Sequence, residues 1–187
     1  MRVRVYALSG SHGIGKTTTF NYLKQILSPK KFAFVGEFAD SILKQIGIRN
    51  DWREKILPNR PAYSYFEDAL DACTIASYLV HKDKVIIADR SIVDTCAYRL
   101  LAGLPPNAIS LFNLRGVDLC TFFMRSKARE DSKVVEAIKE VLTRFDLPFE
   151  EVPIIEGKPK ETAELIADKI RTYHPLKTFP NLRKLGT

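Results

Sequence analysis

Gly10-Ser11-His12-Gly13-Ile14-Gly15-Lys16-Thr17 is the stretch on which the fold turns. It fits G-x-x-x-x-G-K-[ST] at every fixed position, and the residue types have a physical logic. Glycines let the main chain bend and approach an anion, so that amide N–H groups can converge on phosphate oxygens. A helix opening near Lys16 would add the positive end of its dipole. In such a loop Lys16 bridges the β- and γ-phosphates and the Thr17 hydroxyl holds Mg²⁺. The expected binding set is Gly10, Ser11, His12, Gly13, Ile14, Gly15, Lys16 and Thr17, with Thr18 in the first helical turn. The His12 side chain occupies a variable position of the motif and is expected to be a spectator. A mere glycine-rich turn would not need this strand, octapeptide and helix in that order.

Outward from the loop, Val3 to Leu8 is an apolar-rich run that suits a buried strand. Phe20, Leu23, Ile26 and Leu27 then recur at helical spacing up to Ser28-Pro29. Further strands are expected at 32–35, 85–88, 119–124 and 149–155. Helices are expected at 39–46, 62–80, from Ser91 to about Leu101, near 109–114, around Val134 to Phe145, and at 162–173. Residues 50–61 hold two prolines and mixed charges and are expected to be irregular. Strands alternating with helices imply parallel βαβ units. Together with the loop this predicts an α/β, three-layer P-loop NTPase fold, a five-stranded parallel sheet flanked by helices, over residues 1–173. Residues 174–187 would form a C-terminal tail.

Composition agrees. The chain has 187 residues, enough for one self-sufficient core, with 45% hydrophobic and 27% charged residues, which excludes fibrous and disordered classes. No apolar run approaches a membrane span and no signal-peptide pattern opens the chain, so a cytoplasmic protein without membrane attachment is expected. Cys73, Cys96 and Cys120 have neither disulfide nor zinc spacing. The net charge of +7 favours anionic partners, whether nucleotides, nucleic acid or a membrane surface, but the cations are dispersed and charge alone does not choose among them.

Three features narrow the class. Neither an [NT]-K-x-D nor a D-x-x-G sequence occurs, which argues against a GTPase switch. The strand Val85–Ala88 runs into Asp89-Arg90-Ser91 rather than an Asp-Glu pair. An arginine beside the acid suits neutralisation of a transferring phosphoryl group better than activation of water. Asp89-Arg90-Ser91 followed by Asp94-Thr95-Cys96-Ala97-Tyr98 resembles the corresponding stretch of thymidylate kinases, and the acid-Arg-Ser triplet is also similar to that of deoxynucleoside kinases. Gly36-Glu37-Phe38 stands where thymidylate kinases have Arg-Glu-Pro, and Phe66 to Asp71 lacks the arginine they carry on the helix before strand three. Thymidylate itself is therefore not the expected acceptor. The compact frame with its His-Gly-x-Gly-Lys-Thr loop also resembles small kinase-like P-loop ATPases.

The resemblance implies an ATP- and Mg²⁺-dependent phosphotransferase acting on a nucleoside or nucleoside monophosphate. Lys16, Asp89, Arg90, Glu37, Arg125 and Arg129 are its expected catalytic residues. Asp89 would hold Mg²⁺ with Thr17 or orient the acceptor, or else cap the next helix. Arg90 would meet the phosphoryl group, or else make a structural ion pair. Glu37 would serve as general base or as a capping carboxylate. Arg125 and Arg129 fall where those kinases have a mobile lid, although Glu130 and Asp131 offer Arg129 a local ion pair. Trp52, Tyr63, Tyr65 and Phe66 could wall a base or simply pack. A nucleotide-responsive regulatory ATPase, a polynucleotide 5′-end kinase binding nucleic acid through the basic tail, and a homodimer are the other expectations carried forward.

Overall fold

The computed structural model describes residues 2–126 and 128–172. Five strands, β1 (Val3–Ser9), β2 (Phe32–Val35), β3 (Val85–Asp89), β4 (Val117–Arg125) and β5 (Phe149–Pro153), form one parallel sheet in the order β2-β3-β1-β4-β5. The flanking helices are α1 (Lys16–Ile26), α2 (Ala39–Gln45), α3 (Trp52–Lys55), α4 (Arg60–Val80), α5 (Ile92–Leu101), α6 (Ala108–Asn113), α7 (Ser132–Arg144) and α8 (Pro159–Thr172), with a 3₁₀ turn at Leu114–Gly116. The expected fold is the observed one. The C-terminal tail expected at 174–187 lies outside the described residues.

Alternation along the central strand creates the layers. Val3, Val5 and Ala7 face a core completed by Tyr78 of α4 and by α5 and α7, whereas Tyr6 and Leu8 face Phe20 and Leu23 of α1 and Ile166 of α8. Both faces are covered, so β1 is apolar almost throughout. A third cluster, Leu43, Ile56, Tyr63 and Phe66, with Trp52 and Leu70 against it, sits apart from both.

Register fixes where the chemistry collects. Leu8 pairs with Asp89, Ser9 with Phe123 and Val35 with Ala88. The carboxyl ends of four strands therefore finish at one edge, with the loop after β1 at the point where the strand order reverses, the usual ligand crevice of such sheets.

One expected segment is corrected. Residues 50–61 are not irregular: α3 forms inside them and α4 begins at Arg60. Pro61 lies in the first turn of α4, where a missing N–H has no intrahelical partner to lose, and the Asn59 side chain caps Ala62 N–H at 3.1 Å. The proline thus starts the helix rather than ending a loop. The remaining boundaries shift by three residues at most, β4 opening at Val117 and α8 at Pro159.

Candidate active site

The loop after β1 is bent by Gly10, Gly13 and Gly15, at φ 147°, 74° and 105°. At Gly10 a side chain is also excluded by space, because a Cβ would lie 2.8 Å from the Met124 carbonyl oxygen. Gly15 is the N-cap of α1 and no side chain caps that helix. Its first-turn amides therefore remain available to an anion. Ser11 is fully buried and locks the loop to the start of α7: its hydroxyl accepts from Asp131 N–H at 3.0 Å and donates to Asp131 O at 3.3 Å. Ile14 packs in the interior, whereas His12, Thr17 and Thr18 are exposed.

Lys16 folds back over the loop and donates to the carbonyls of Gly10, at 2.8 Å, and Ser11, at 2.7 Å. Burial and the nearby Arg90 push its ammonium down to about 8, against the opposing pull of Asp94, Asp89 and Glu37. A phosphate would offer this cation the counter-charge that two neutral carbonyls lack.

Beside Lys16, Asp89 ends β3 almost completely buried, and its Oδ1 has no hydrogen-bond partner among the described residues. It does not cap α5. That cap is Ser91, whose hydroxyl accepts from Val93 N–H at 3.2 Å while Asp94 accepts from Ser91 N–H at 3.0 Å. An orphaned carboxylate oxygen at the carboxyl edge of the sheet, with the Thr17 hydroxyl exposed in the first turn of α1, suits a divalent cation, so the residues present fit Mg²⁺.

Arg90 sits in the left-handed region at φ 76°, uncommon for a residue with a side chain. Its own N–H donates to Leu8 O at 3.0 Å, and its guanidinium is held from three sides. Nε lies 2.8 Å from Glu37 Oε1, an ion pair whose angle does not make a hydrogen bond. Nη1 lies 3.7 Å from Asp94 Oδ1 and donates to the Tyr98 hydroxyl at 3.4 Å. The left-handed backbone and the three converging partners fix the Arg90 guanidinium at the carboxyl edge of the sheet.

Asp94 was not assigned a role from the sequence, and it is the hub. Fully buried, it accepts from Ser9 Oγ at 2.9 Å and from Ser91 N–H, and it faces Arg90 and Lys16. Burial still holds its carboxyl above the usual range despite those cations. The Ser-x-x-Asp capping pattern at 91–94 was its visible signal.

A cavity of about 580 Å³ opens against this edge. His12, Glu37, Arg90, Asp94 and Tyr98 form its phosphate-side wall, and Leu43, Trp52, Tyr63, Phe66, Glu67 and Leu70 its far wall. Three of the four expected aromatic residues line it. Tyr65 does not, being 75% exposed on the other side of α4. Asp40 and Arg49, paired to each other, stand at the same cavity.

Arg125 and Arg129 are placed elsewhere. Arg125 makes a two-pronged pair with Glu130, both contacts at 2.9 Å, and reaches Glu151 at 3.1 Å. Arg129 pairs at 3.0 Å with Glu156, not with the adjacent Glu130 or Asp131. Neither lines the cavity.

A glycine cradle at the switch point of a parallel sheet, with a lysine folded over it and an acid-arginine pair beside it, defines a P-loop nucleotide-binding protein. Residues 5–158 match the family model described as an AAA domain, so the chain belongs to that family of P-loop domains. A solved structure of thymidylate kinase from Ehrlichia chaffeensis aligns with 92% of this chain and 100% of its own, at a TM-score of 0.64 and 14% sequence identity. The kinase-like fold expected from the Asp-Arg-Ser stretch is thereby shown; at that identity the likeness concerns the fold alone. No curated protein matches the sequence. No helix among the described residues is long and apolar enough to cross a membrane.

Proposed function

We propose that this protein transfers the γ-phosphoryl group of ATP to the hydroxyl or phosphate of a small acceptor, a nucleoside or nucleoside monophosphate. The observation that carries the reading is the cavity itself: it shares His12 with the phosphate loop and Glu37 and Arg90 with the strand ends, so an acceptor within it would lie beside the cradle. A simple ATPase has no use for a largely apolar chamber of that volume at this place.

For a hydroxyl acceptor, its oxygen forms the new bond to the γ-phosphorus as the bond to the β–γ bridging oxygen breaks. ADP leaves, and the hydroxyl proton passes to the Glu37 carboxylate. Lys16 exchanges the Gly10 and Ser11 carbonyls for phosphate oxygens, and the first-turn amides of α1 hold the same group. Arg90 neutralises charge on the transferring oxygens, aimed by Asp94 and Tyr98. Thr17 and Asp89 would hold Mg²⁺, which would supply charge neutralisation to the phosphates. Arg125 and Arg129 would join the phosphates only by exchanging Glu130, Glu151 and Glu156. Positioning and electrostatics supply the rate.

The test is a coupled ADP-release screen over nucleosides and their monophosphates, with Lys16→Ala as control. An acceptor-dependent rise that vanishes in the control is expected. Release that no acceptor accelerates would replace the kinase by a regulatory ATPase.

A further inference from the structure

The acceptor cavity carries a buried carboxylate that phosphoryl transfer does not use. Glu67 lies on α4, 4% exposed, among the apolar side chains Tyr63, Phe66 and Leu70. The Tyr63 hydroxyl, one turn earlier, donates to the carboxylate. Its Oε2 is buried and has no hydrogen-bond partner among the described residues. Neither nearby guanidinium is spare: Arg99 is committed to Asp68 at 2.9 Å and to Pro105 O at 2.8 Å, and Arg90 to Glu37 and Asp94.

A buried, half-satisfied carboxylate in an apolar wall is expensive unless something completes it. Its position on the long helix α4 is also rigid. Asp68, the next residue, ties that helix to Arg99 and to Asn107 Nδ2, the latter at 2.7 Å. A fixed acceptor of this kind serves recognition better than it serves folding.

We infer that Glu67 determines which acceptor ring enters the cavity, selecting one that turns an amino or amidine N–H group toward Oε2 and rejecting one that presents a carbonyl there. The inference rests on the proposed acceptor role of the cavity and narrows its substrate class. The chemistry is that of carboxylates in base recognition, which take hydrogen bonds from exocyclic amino groups such as that of cytosine. Trp52 and Phe66 offer the faces on which a planar ring can lie. Above the carboxyl's midpoint of about 7, a uracil-type ring would set a carbonyl oxygen against the ionised carboxylate, leaving two acceptors facing each other without a proton.

The test compares cytidine with uridine by isothermal calorimetry at pH 8, where Glu67 is mostly ionised, on the full chain saturated with a magnesium–ATP analogue that cannot be hydrolysed, for the native protein and for Glu67→Gln. The native protein should favour cytidine by at least about tenfold. The glutamine amide can rotate to donate or to accept, so Glu67→Gln should gain affinity for uridine and bring the ratio close to one. Equal native affinities, no binding of either nucleoside, or a cytidine preference that survives Glu67→Gln would each overturn the inference. Because the readout is binding, it is decided independently of ADP release: turnover without ring selectivity sinks the role of Glu67 alone, and selective binding without turnover sinks the kinase alone.

Discussion

The two ends of the cavity are built in opposite ways. The phosphate end is main chain: three glycines at positive φ, an uncapped helix and two carbonyls that hold Lys16. The far end, where we propose that the acceptor lies, is side chain: Trp52, Tyr63, Phe66 and Glu67 from α3 and α4, resting on a cluster separate from both sheet cores. Main-chain sites recognise what all triphosphates share, and side-chain sites recognise what distinguishes one acceptor from another. A substitution at one end should therefore leave the other end's selectivity intact.

The sharpest way to break that division is Lys16→Ala. Loss of a preorganised cation at the transferring group should lower acceptor-dependent ADP release by a factor on the order of 10³. Calorimetric binding of the nucleoside should persist within about twofold. Nucleoside affinity that collapses with the lysine would mean the two ends are one site.

Asp94→Asn probes the joint between them. The carboxylate serves Ser9, the Ser91 amide and Arg90 at once, in full burial. Removing its charge leaves Arg90 short of a counter-ion, and unfolding in urea should show a loss of about 3 kcal/mol. The rate constant for ADP release should fall more than the Michaelis constants rise, because Arg90 is aimed by this residue. A variant as stable and as fast as the parent would demote the hub to a spectator.

How much of this was legible in the sequence follows the same division. The phosphate loop is contiguous, and its eight residues carry both the bend and the charge, so the motif, the strand before it and the helix after it were all readable. The Ser-x-x-Asp pattern at 91–94 was in view as well, but its second function, holding Arg90 and Ser9, depends on the register of β1 against β3. Glu67 was visible only as the lack of an arginine. Nothing local says that one acid of Glu67, Asp68 and Asp71 faces a cavity while Asp68 faces Arg99. Pro61 misled for a reason of its own, since proline ends helices and begins them alike, and only the cap at Asn59 decides between the two. For Arg125, charge was legible but partner was not: Glu151, which it reaches, lies on the neighbouring strand β5.

The acceptor end can be sharpened through stability. Burial, with Asp71 nearby, pushes the Glu67 carboxyl from 4.5 up to about 7, while its bond from Tyr63 and the charges of Arg99 and Arg90 pull the other way. A raised pKa in the folded state favours folding below the unfolded value and loses that contribution as pH climbs through the folded one. The window here runs from about 4.5 to 7, and the loss is on the order of 3 kcal/mol. Asp71, pushed up to about 6 mainly by burial, adds a loss of the same sign beginning lower, from 3.8. Urea unfolding at pH 5 and pH 8 should show Glu67→Gln losing less stability across that interval than the parent, the Asp71 part being common to both. Parallel losses would place the Glu67 carboxyl in water.

The smallest effect belongs to the phosphate end and is the most direct. Lys16 titrates near 8 while its neighbours are two carbonyls, against an ordinary 10.5. Triphosphate oxygens within reach would restore the ammonium, so binding must draw a proton from solution wherever the free protein holds part of its Lys16 neutral. The neutral share is about a tenth at pH 7 and about three quarters at pH 8.5, from a midpoint near 8. Magnesium–ATP titrations in two buffers of different ionisation enthalpy should report proton uptake rising between those limits. A nucleoside bound without ATP should leave Lys16 on its carbonyls and take up no proton through it. Uptake that is flat with pH would mean that Lys16 never leaves the loop, and uptake driven equally by the nucleoside would mean that the lysine answers to both ends of the cavity.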